Sequence, residues 1–322
     1  MKVRVLTGEN ELAAFWPAWA DAWRRAPAAT PFQSPAWLRP WWTVFGTGAP
    51  LVAIATNSVG VCGVLPLYRY AQKLLPMGVG ITDYVDLLLT DDAPCGTAAA
   101  LLDAALQAGE RTRCDLPDLP PGASLRGTTP PPNWAEDAWP GPPCPVLPLR
   151  RSLADTIPRS MLRDLRQARH RADRAGGAQC VRADHDTLAH WLDTLAALHA
   201  ARWQERAEPG VLADPAVRRF HHLAAPALLD AGVLRLTAVL IEGRPAGIVH
   251  ALRHRERLYF YLGGFDPARR FESPGTLLIG HLLEEAIEEG ATEAHFLRGA
   301  ESYKYRWGAA DRDNRGRSFI PA

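Results

Sequence analysis

The stretch that decides the fold is residues 233–299, VLRLTAVLIEGRPAGIVHALRHRERLYFYLGGFDPARRFESPGTLLIGHLLEEAIEEGATEAHFLRG. Three apolar runs, 233–243, 245–254 and 257–265, are separated only by short turn signals, so they read as a meander of strands. The period then changes. Over 273–290, Leu278, Ile279, Leu282, Leu283, Ala286 and Ile287 share one helical face, while Glu284, Glu285, Glu288 and Glu289 share the other. A last strand, TEAHFLRG at 292–299, and a short tail, AESYKYRWGA, follow. The β-β-β-α-β order places the chain in the α/β (α+β) class.

Upstream of this stretch lies a basic helix, PRSMLRDLRQARHRADRAGG at 158–177, ended by Gly176 and Gly177, where a C-cap needs positive φ. Leu162, Leu165, Ala168, Ala172 and Ala175 form a narrow apolar stripe on it, and Arg163, Arg166, His170 and Arg174 form a neighbouring basic one. A strand near Val181, a helix from Leu188 to Trp203 and another over 214–232 lead into the meander. The first half opens with a short strand (Val3, Val5) and two Trp-rich helices, one carrying Leu12, Trp16, Trp19 and Trp23, the other FQSPAWLRPWWTVFG at 32–46. These tryptophans are expected in a core, because no interleaved basic run accompanies them as nucleic-acid stacking requires. Strands follow at LVAIAT, GVCGVLPLY and YVDLLLT, then a helix at 98–109. From Pro117 to Pro148 the chain is thick with proline, which suits neither a helix interior nor a central strand, so this segment is expected to be a semi-rigid connector. The expected domains are therefore 1–148 and 149–322.

The chain has 322 residues, 47% apolar and 22% charged, which fits ordinary globular usage and two domains. Thirty-six basic against 35 acidic residues leave a net charge of +1, so no global field for DNA is expected and any anion site must be local. Five scattered cysteines without C-x-x-C spacing suggest neither a disulfide framework nor a metal site. No apolar run reaches the roughly 18 residues of a membrane span, and the opening MKVRVLTGENELAAFW lacks the apolar stretch of a secretory signal, so a cytoplasmic location is expected.

Chemistry is expected at the start of the helix over 273–290. Ser273 reads as an N-cap, Pro274 suits the first helical position, and Gly275 allows close approach to the backbone. Unpaired N–H groups and the positive dipole end can hold an anion there, with Arg269 and Arg270 just before it.

At this point the sequence resembles a known family. YFYLGGFDPARRFESPGTLLIGHLLEEA is similar to the strand, loop and helix that hold the CoA pyrophosphate in GNAT acyltransferases, with fingerprint R/Q-x-x-G-x-G/A. Arg270, Ser273 and Gly275 fill its named places, Ser273 standing where the family usually has glycine. Together with FQSPAWLRPWW, GVLPLY, the basic helix and FLRGAESYKYRW, the chain resembles over nearly its full length the CelD-like branch of GNATs. That branch is found near bacterial polysaccharide-synthesis genes and is related to the FemAB aminoacyl transferases. The resemblance implies two tandem GNAT-like domains, each a mixed, mostly antiparallel sheet flanked by helices. The first would be degenerate and on the substrate side, the second would hold acetyl-CoA or another acyl-CoA as co-substrate, and no metal is implied.

The implied reaction is N-acyl transfer to a small-molecule amine or amino sugar by direct attack in a ternary complex. Pantetheine would pair with the strand edge at Tyr259–Gly264, where Leu262, Gly263 and Gly264 leave room, and Arg270, Ser273, Gly275 and Thr276 would hold the cofactor. An oxyanion needs fixed donors and the amine must lose a proton. Lys304 matches a lysine of FemAB-like enzymes in a similar stretch and would stabilise developing negative charge. Glu301 and Asp266 are candidate bases. His250 is a catalytic candidate, although a lone His on such a strand face is more often a satisfied core residue. Arg298 and Tyr303 are candidate substrate contacts, as are Arg163 and Arg166 of the basic stripe, which reads either as a solvated face or as a landing site for an acidic substrate, an acyl carrier protein or tRNA. Two alternative readings are an aminoacyl-tRNA-dependent transferase and a non-catalytic scaffold subunit in polysaccharide synthesis.

Overall fold

The computed structural model describes residues 1–204 and 208–322. The chain gathers into two compact units, Met1–Pro143 with Arg312–Ala322, and Cys144–Asp311. The units thus divide at 143/144 where the sequence reading put 148/149, and the C-terminal segment joins the first unit.

The first unit contains β1 (Lys2–Leu6), α1 (Glu9–Arg25), α2 (Pro35–Phe45), β2 (Ala49–Thr56), β3 (Val61–Tyr70), β4 (Lys73–Pro76), β5 (Leu88–Leu89), α3 (Thr97–Ala108), β6 (Arg113–Leu119), α4 (Ser124–Gly127) and the start of β7 (Trp134–Pro148). Its sheet runs β1-β2-β3-β4-β6, with β5 on β3. The tryptophans are core: Trp19, Trp37 and Trp41 are fully buried. A buried indole gains from a partner for its N–H, and Trp19 donates to the Gln33 carbonyl (3.1 Å) and Trp37 to Thr82 Oγ1 (2.9 Å), whereas the N–H of Trp41 is buried without one among the described residues.

Two expectations need correction here. The run YVDLLLT forms only the two-residue β5, because Asp86 turns its carboxylate onto the backbone N–H groups of Ser124 and Leu125 and so takes that stretch out of the sheet. The proline-rich segment does hold the division between the units, but as regular structure and not as an irregular linker, since much of it is the 15-residue strand β7. Extended backbone accommodates proline's fixed φ, and each proline keeps its carbonyl. Pro145 accepts from Phe296 N–H (2.9 Å), and Leu149 N–H reaches the Thr292 carbonyl (2.8 Å), so by alternation the missing N–H of Pro148 points away from the neighbouring strand.

The second unit continues with α5 (Leu153–Thr156), α6 (Arg159–Arg174), β8 (Ala178–Arg182), α7 (Leu188–Gln204), α8 (Pro215–Asp230), β9 (Leu234–Ile241), β10 (Arg244–His254), β11 (Arg257–Phe265), α9 (Pro274–Glu288), β12 (Glu293–His295) and α10 (Ser302–Arg306). Its sheet runs β7-β12-β11-β10-β9-β8. The meander is antiparallel, and β9 turns into β10 through Glu242 and Gly243, both at positive φ (53° and 71°), the conformation of a two-residue hairpin turn. The crossover through α9 returns β12 parallel to β11.

Helices cover both faces of this sheet. On one face α9 and α6 enclose a core that includes Leu165, Val249, Phe260, Leu278, Leu283 and Phe296. The helices meet closely because Gly280 has no side chain: a Cβ there would lie 2.7 Å from Leu165. The expected stripe of α6 holds: Leu165, Ala168 and Ala172 are buried, Leu162 and Ala175 pack partly buried against the same core, and Met161 joins them at the start. Val249 faces this core, so its neighbour His250 points to the other face, where its ring meets His221 of α8. The chain closes with β13 (Ala310–Pro321), which pairs with β6 of the first unit.

Candidate active site

A strand that loses its neighbour creates the site. β11 pairs with β12 only over Arg257–Tyr259, then runs on to Phe265 with β10 on its other side. The register shifts between His250 and Ala251: His250 faces Leu262 and Ala251 faces Phe260, so Tyr261 is the extra residue of a β-bulge. Asp266 N–H bonds to the Ala246 carbonyl (2.9 Å). By alternation along the ladder, the N–H and C=O of Gly263 then face the open edge.

A cavity of about 250 Å³ lies at that edge. Its walls come from β11 (Phe260, Tyr261, Leu262, Gly263, Phe265), α9 (Gly275, Thr276, Ile279), α6 (Met161), α7 (Arg202) and the α10 region (Tyr303, Arg306, Trp307). The lining mixes apolar and polar surface, with cationic groups at Arg202 and Arg306. Arg202 lies 5.5 Å from the centre of the Phe265 ring, and Arg306 is bonded to Asp164 of α6 (2.6 Å).

Among the residues expected to hold cofactor, Leu262, Gly263, Gly275 and Thr276 line this cavity. Gly264 does not leave room for a ligand: a Cβ on it would meet the backbone N of His199 at 2.6 Å and the Leu195 carbonyl at 2.9 Å, so α7 fills that space. Ser273 occupies the N-cap position of α9 without acting as a side-chain cap. Its backbone is left-handed (φ 56°, ψ 58°), and its hydroxyl instead accepts from Arg171 (3.3 Å). The loop before α9 is largely bonded to itself. The N–H groups of Arg269, Arg270, Glu272 and Ser273 close turns onto Asp266, Pro267, Arg269 and Arg270, and those of Thr276 and Leu277 bond to the Ser273 carbonyl. Arg270 is exposed and does not line the cavity, while Arg269 is paired with Glu242 and Glu272. The N–H of Gly275, in the first turn of α9 and on the cavity wall, has no intrahelical partner by helix geometry.

The expected catalytic residues lie elsewhere. Lys304 is buried, and its ammonium binds the carbonyls of Leu297 (3.1 Å), Arg298 (2.7 Å) and Gly299 (3.1 Å) and the carboxylate of Glu301 (2.9 Å). Arg298 therefore serves this cluster through its carbonyl, and neither it nor Glu301 is on the cavity wall. Asp266 accepts from Ala268 N–H (2.9 Å) as the cap of a 3-10 turn. His250 is fully buried and packs against His221 and Tyr261; burial lowers its pKa to about 4, so the ring is neutral at pH 7. Tyr303 does line the cavity, whereas Arg163 and Arg166 stand on the exposed side of α6. Sequence reasoning missed Met161, Arg202, Phe265, Arg306 and Trp307. Arg306 and Trp307 adjoin the YKYRW segment it did single out, but nothing local marks Met161 or Arg202.

Residues 159–305 match the acetyltransferase (GNAT) domain family. The second unit carries a GNAT-type domain. Its meander, crossover helix and parted strand are the parts that the match spans. Over the whole chain the fold is that of FemX, whose crystal structure superposes with a TM-score of 0.68 at 13% identity, covering 98% of this chain and 97% of that one. A conserved protein of unknown function from Bacteroides thetaiotaomicron superposes at 0.67 with 11% identity, covering 98% and 100%. The C-terminal domain of a putative lysylphosphatidylglycerol synthetase from Agrobacterium fabrum superposes at 0.60 with 11% identity, covering 95% and 91%. None of the curated proteins matches. The expected fold class holds: a mixed α/β chain whose second unit carries the GNAT-type domain and which as a whole shares the fold of FemX. No helix among the described residues is long and apolar enough to cross a membrane.

Proposed function

We propose that the protein is an acyltransferase that moves an acyl group from a thioester, with acyl-CoA as the simplest donor, to the amine of a small molecule. The observation that carries this reading is the open edge of β11 at Gly263, set against the first turn of α9 across the cavity. An extended pantetheine arm would add to that edge through backbone hydrogen bonds. The Gly263 and Gly275 N–H groups are the fixed donors closest to hand for a developing oxyanion. The amine nitrogen bonds to the thioester carbon, the C–S bond breaks, and the sulfur leaves as thiol, taking up the proton that the amine loses. Tyr303, on the cavity wall, is the phenol offered for that proton transfer.

A second reading, with an aminoacyl ester of tRNA as donor, rests on the FemAB resemblance and on the self-bonded loop before α9, which leaves few N–H groups for a pyrophosphate. Titration calorimetry with acetyl-CoA and hexanoyl-CoA, followed by thiol release with a panel of amines and amino sugars, tests the first reading. Thiol release that depends on the amine supports it. Transfer that requires charged tRNA and is lost on ribonuclease treatment would replace it with the second.

A further inference from the structure

The exposed face of α6 carries an uncompensated row of positive charge. Arg159, Arg163, Arg166 and Arg174, with His170 among them, are all exposed, recur at three- and four-residue steps opposite the buried stripe, and make no salt bridge among the described residues. Their row spans about 22 Å at the helical rise of ~1.5 Å per residue. Of the helix's own acids, Asp164 is taken by Arg306 and Asp173 sits at the C-terminal end. Nearby cations of the same unit are neutralised, Arg169 by Glu284, Arg182 by Glu285 and Arg269 by Glu242. The net charge of the whole chain is only +1, so this row is a local field rather than part of a global one.

The same helix walls the cavity. Met161 lines it, and Asp164 holds the lining residue Arg306. The basic row is therefore about one helix diameter, roughly 10–12 Å, from the place where the acyl group would react. Beside it, the loop that would grip the nucleotide end of free CoA is closed onto itself, and its Arg269 is neutralised.

We infer that the acyl donor is presented by an acidic carrier protein docked on the outer face of α6, with its phosphopantetheine arm reaching into the cavity. This rests on the thioester reading above and names its donor. The carrier's surface charge supplies the recognition that the loop before α9 does not offer to CoA, while the pantetheine and acyl portions use the Gly263 edge in either case. The bond changes are unaltered: the amine displaces the carrier's thiol, which leaves protonated. A row one helix long, flanked by neutralised charge, suits one acidic helix of a partner. RNA would follow a broader basic field, and a membrane surface would call for exposed large apolar side chains, which this face of α6 lacks.

The test uses the full chain with three hexanoyl donors: a bacterial acyl carrier protein, CoA and pantetheine. At low salt the carrier should give the fastest transfer, and its advantage should shrink as salt rises. Arg163→Glu with Arg166→Glu should lower the carrier rate roughly tenfold relative to the CoA rate, with Arg163→Gln and Arg166→Gln intermediate and thermal unfolding confirming that each variant is folded. Equal rates for all donors, or an equal loss on all, would overturn the carrier and leave the thioester reading standing. If no thioester is used, fluorescence anisotropy of labelled carrier still reads docking separately: binding weakened by the variants keeps the surface, whereas binding of RNA with no binding of carrier refutes it.

Discussion

The ammonium of Lys304 lies 2.7 Å from the backbone carbonyl of Arg298, and the carbonyls of Leu297 and Gly299 are within 3.1 Å on the same nitrogen. The lysine thus ties the chain leaving β12 to α10, which brings Tyr303, Arg306 and Trp307 to the cavity. Lys304→Met is expected to cost about 3 kcal/mol of stability, because buried carbonyls lose their donor and Glu301 loses its partner. Urea unfolding measures this. A Lys304→Met protein as stable as the wild type but slow in transfer would return the residue to a role in the chemistry.

Gly264 sets how closely α7 approaches the sheet. Gly264→Ala places a methyl 2.6 Å from the His199 backbone nitrogen, and backbone cannot swing aside as a flexible side chain can. A loss of about 1–3 kcal/mol is expected, the usual cost of overpacking. A midpoint of denaturation equal to wild type would show that α7 is free to shift.

Protonation of the buried histidines should weaken the fold in acid. The His250 pKa is lowered from 6.5 to about 4 by burial, against its neighbours His221 and Tyr261. Between those values the unfolded chain binds a proton that the native state does not, so stability falls as pH falls, by roughly 3 kcal/mol in all for a group so fully buried. His199 and His254 shift in the same direction. Thermal unfolding from pH 7 to pH 4 should show a shallower decline for His250→Leu than for wild type, and identical slopes would contradict this account.

Filling the cavity should remove donor binding without unfolding the chain. Thr276 is half-buried in the first turn of α9 and lines the cavity. Thr276→Trp is expected to weaken donor binding at least tenfold, about 1.4 kcal/mol or more, with Thr276→Ser near wild type. Unchanged affinity in a folded Thr276→Trp protein would place the donor elsewhere.

The loop before α9 shows why a motif can be legible while its geometry is not. Arg270, Ser273 and Gly275 are spaced as in a pyrophosphate loop, yet Ser273 turns left-handed and four loop N–H groups bond to their own carbonyls. Spacing follows from covalent structure. The direction in which each N–H points depends on φ and ψ, which the surrounding Arg171 and Arg269 contacts help to hold. Likewise, prolines 140–148 read as a break because proline cannot donate, but β7 needed carbonyl acceptors at Pro145, and those proline retains.

By itself the sequence determined the β-β-β-α-β order, the buried faces of α9 and of the Trp-rich helices, and the basic side of α6, because side-chain periods of two and 3.6 residues are local properties. Only the tertiary structure decided where the cavity lies and what lines it. That void exists where β11 parts from β12, and Met161, Arg202, Ile279 and Trp307 reach it from four separate parts of the chain. It decided as well that Lys304 is enclosed by the carbonyls of Leu297, Arg298 and Gly299, since the path on which the segment before α10 folds back over the ammonium depends on its backbone angles and not on the spacing of its residues.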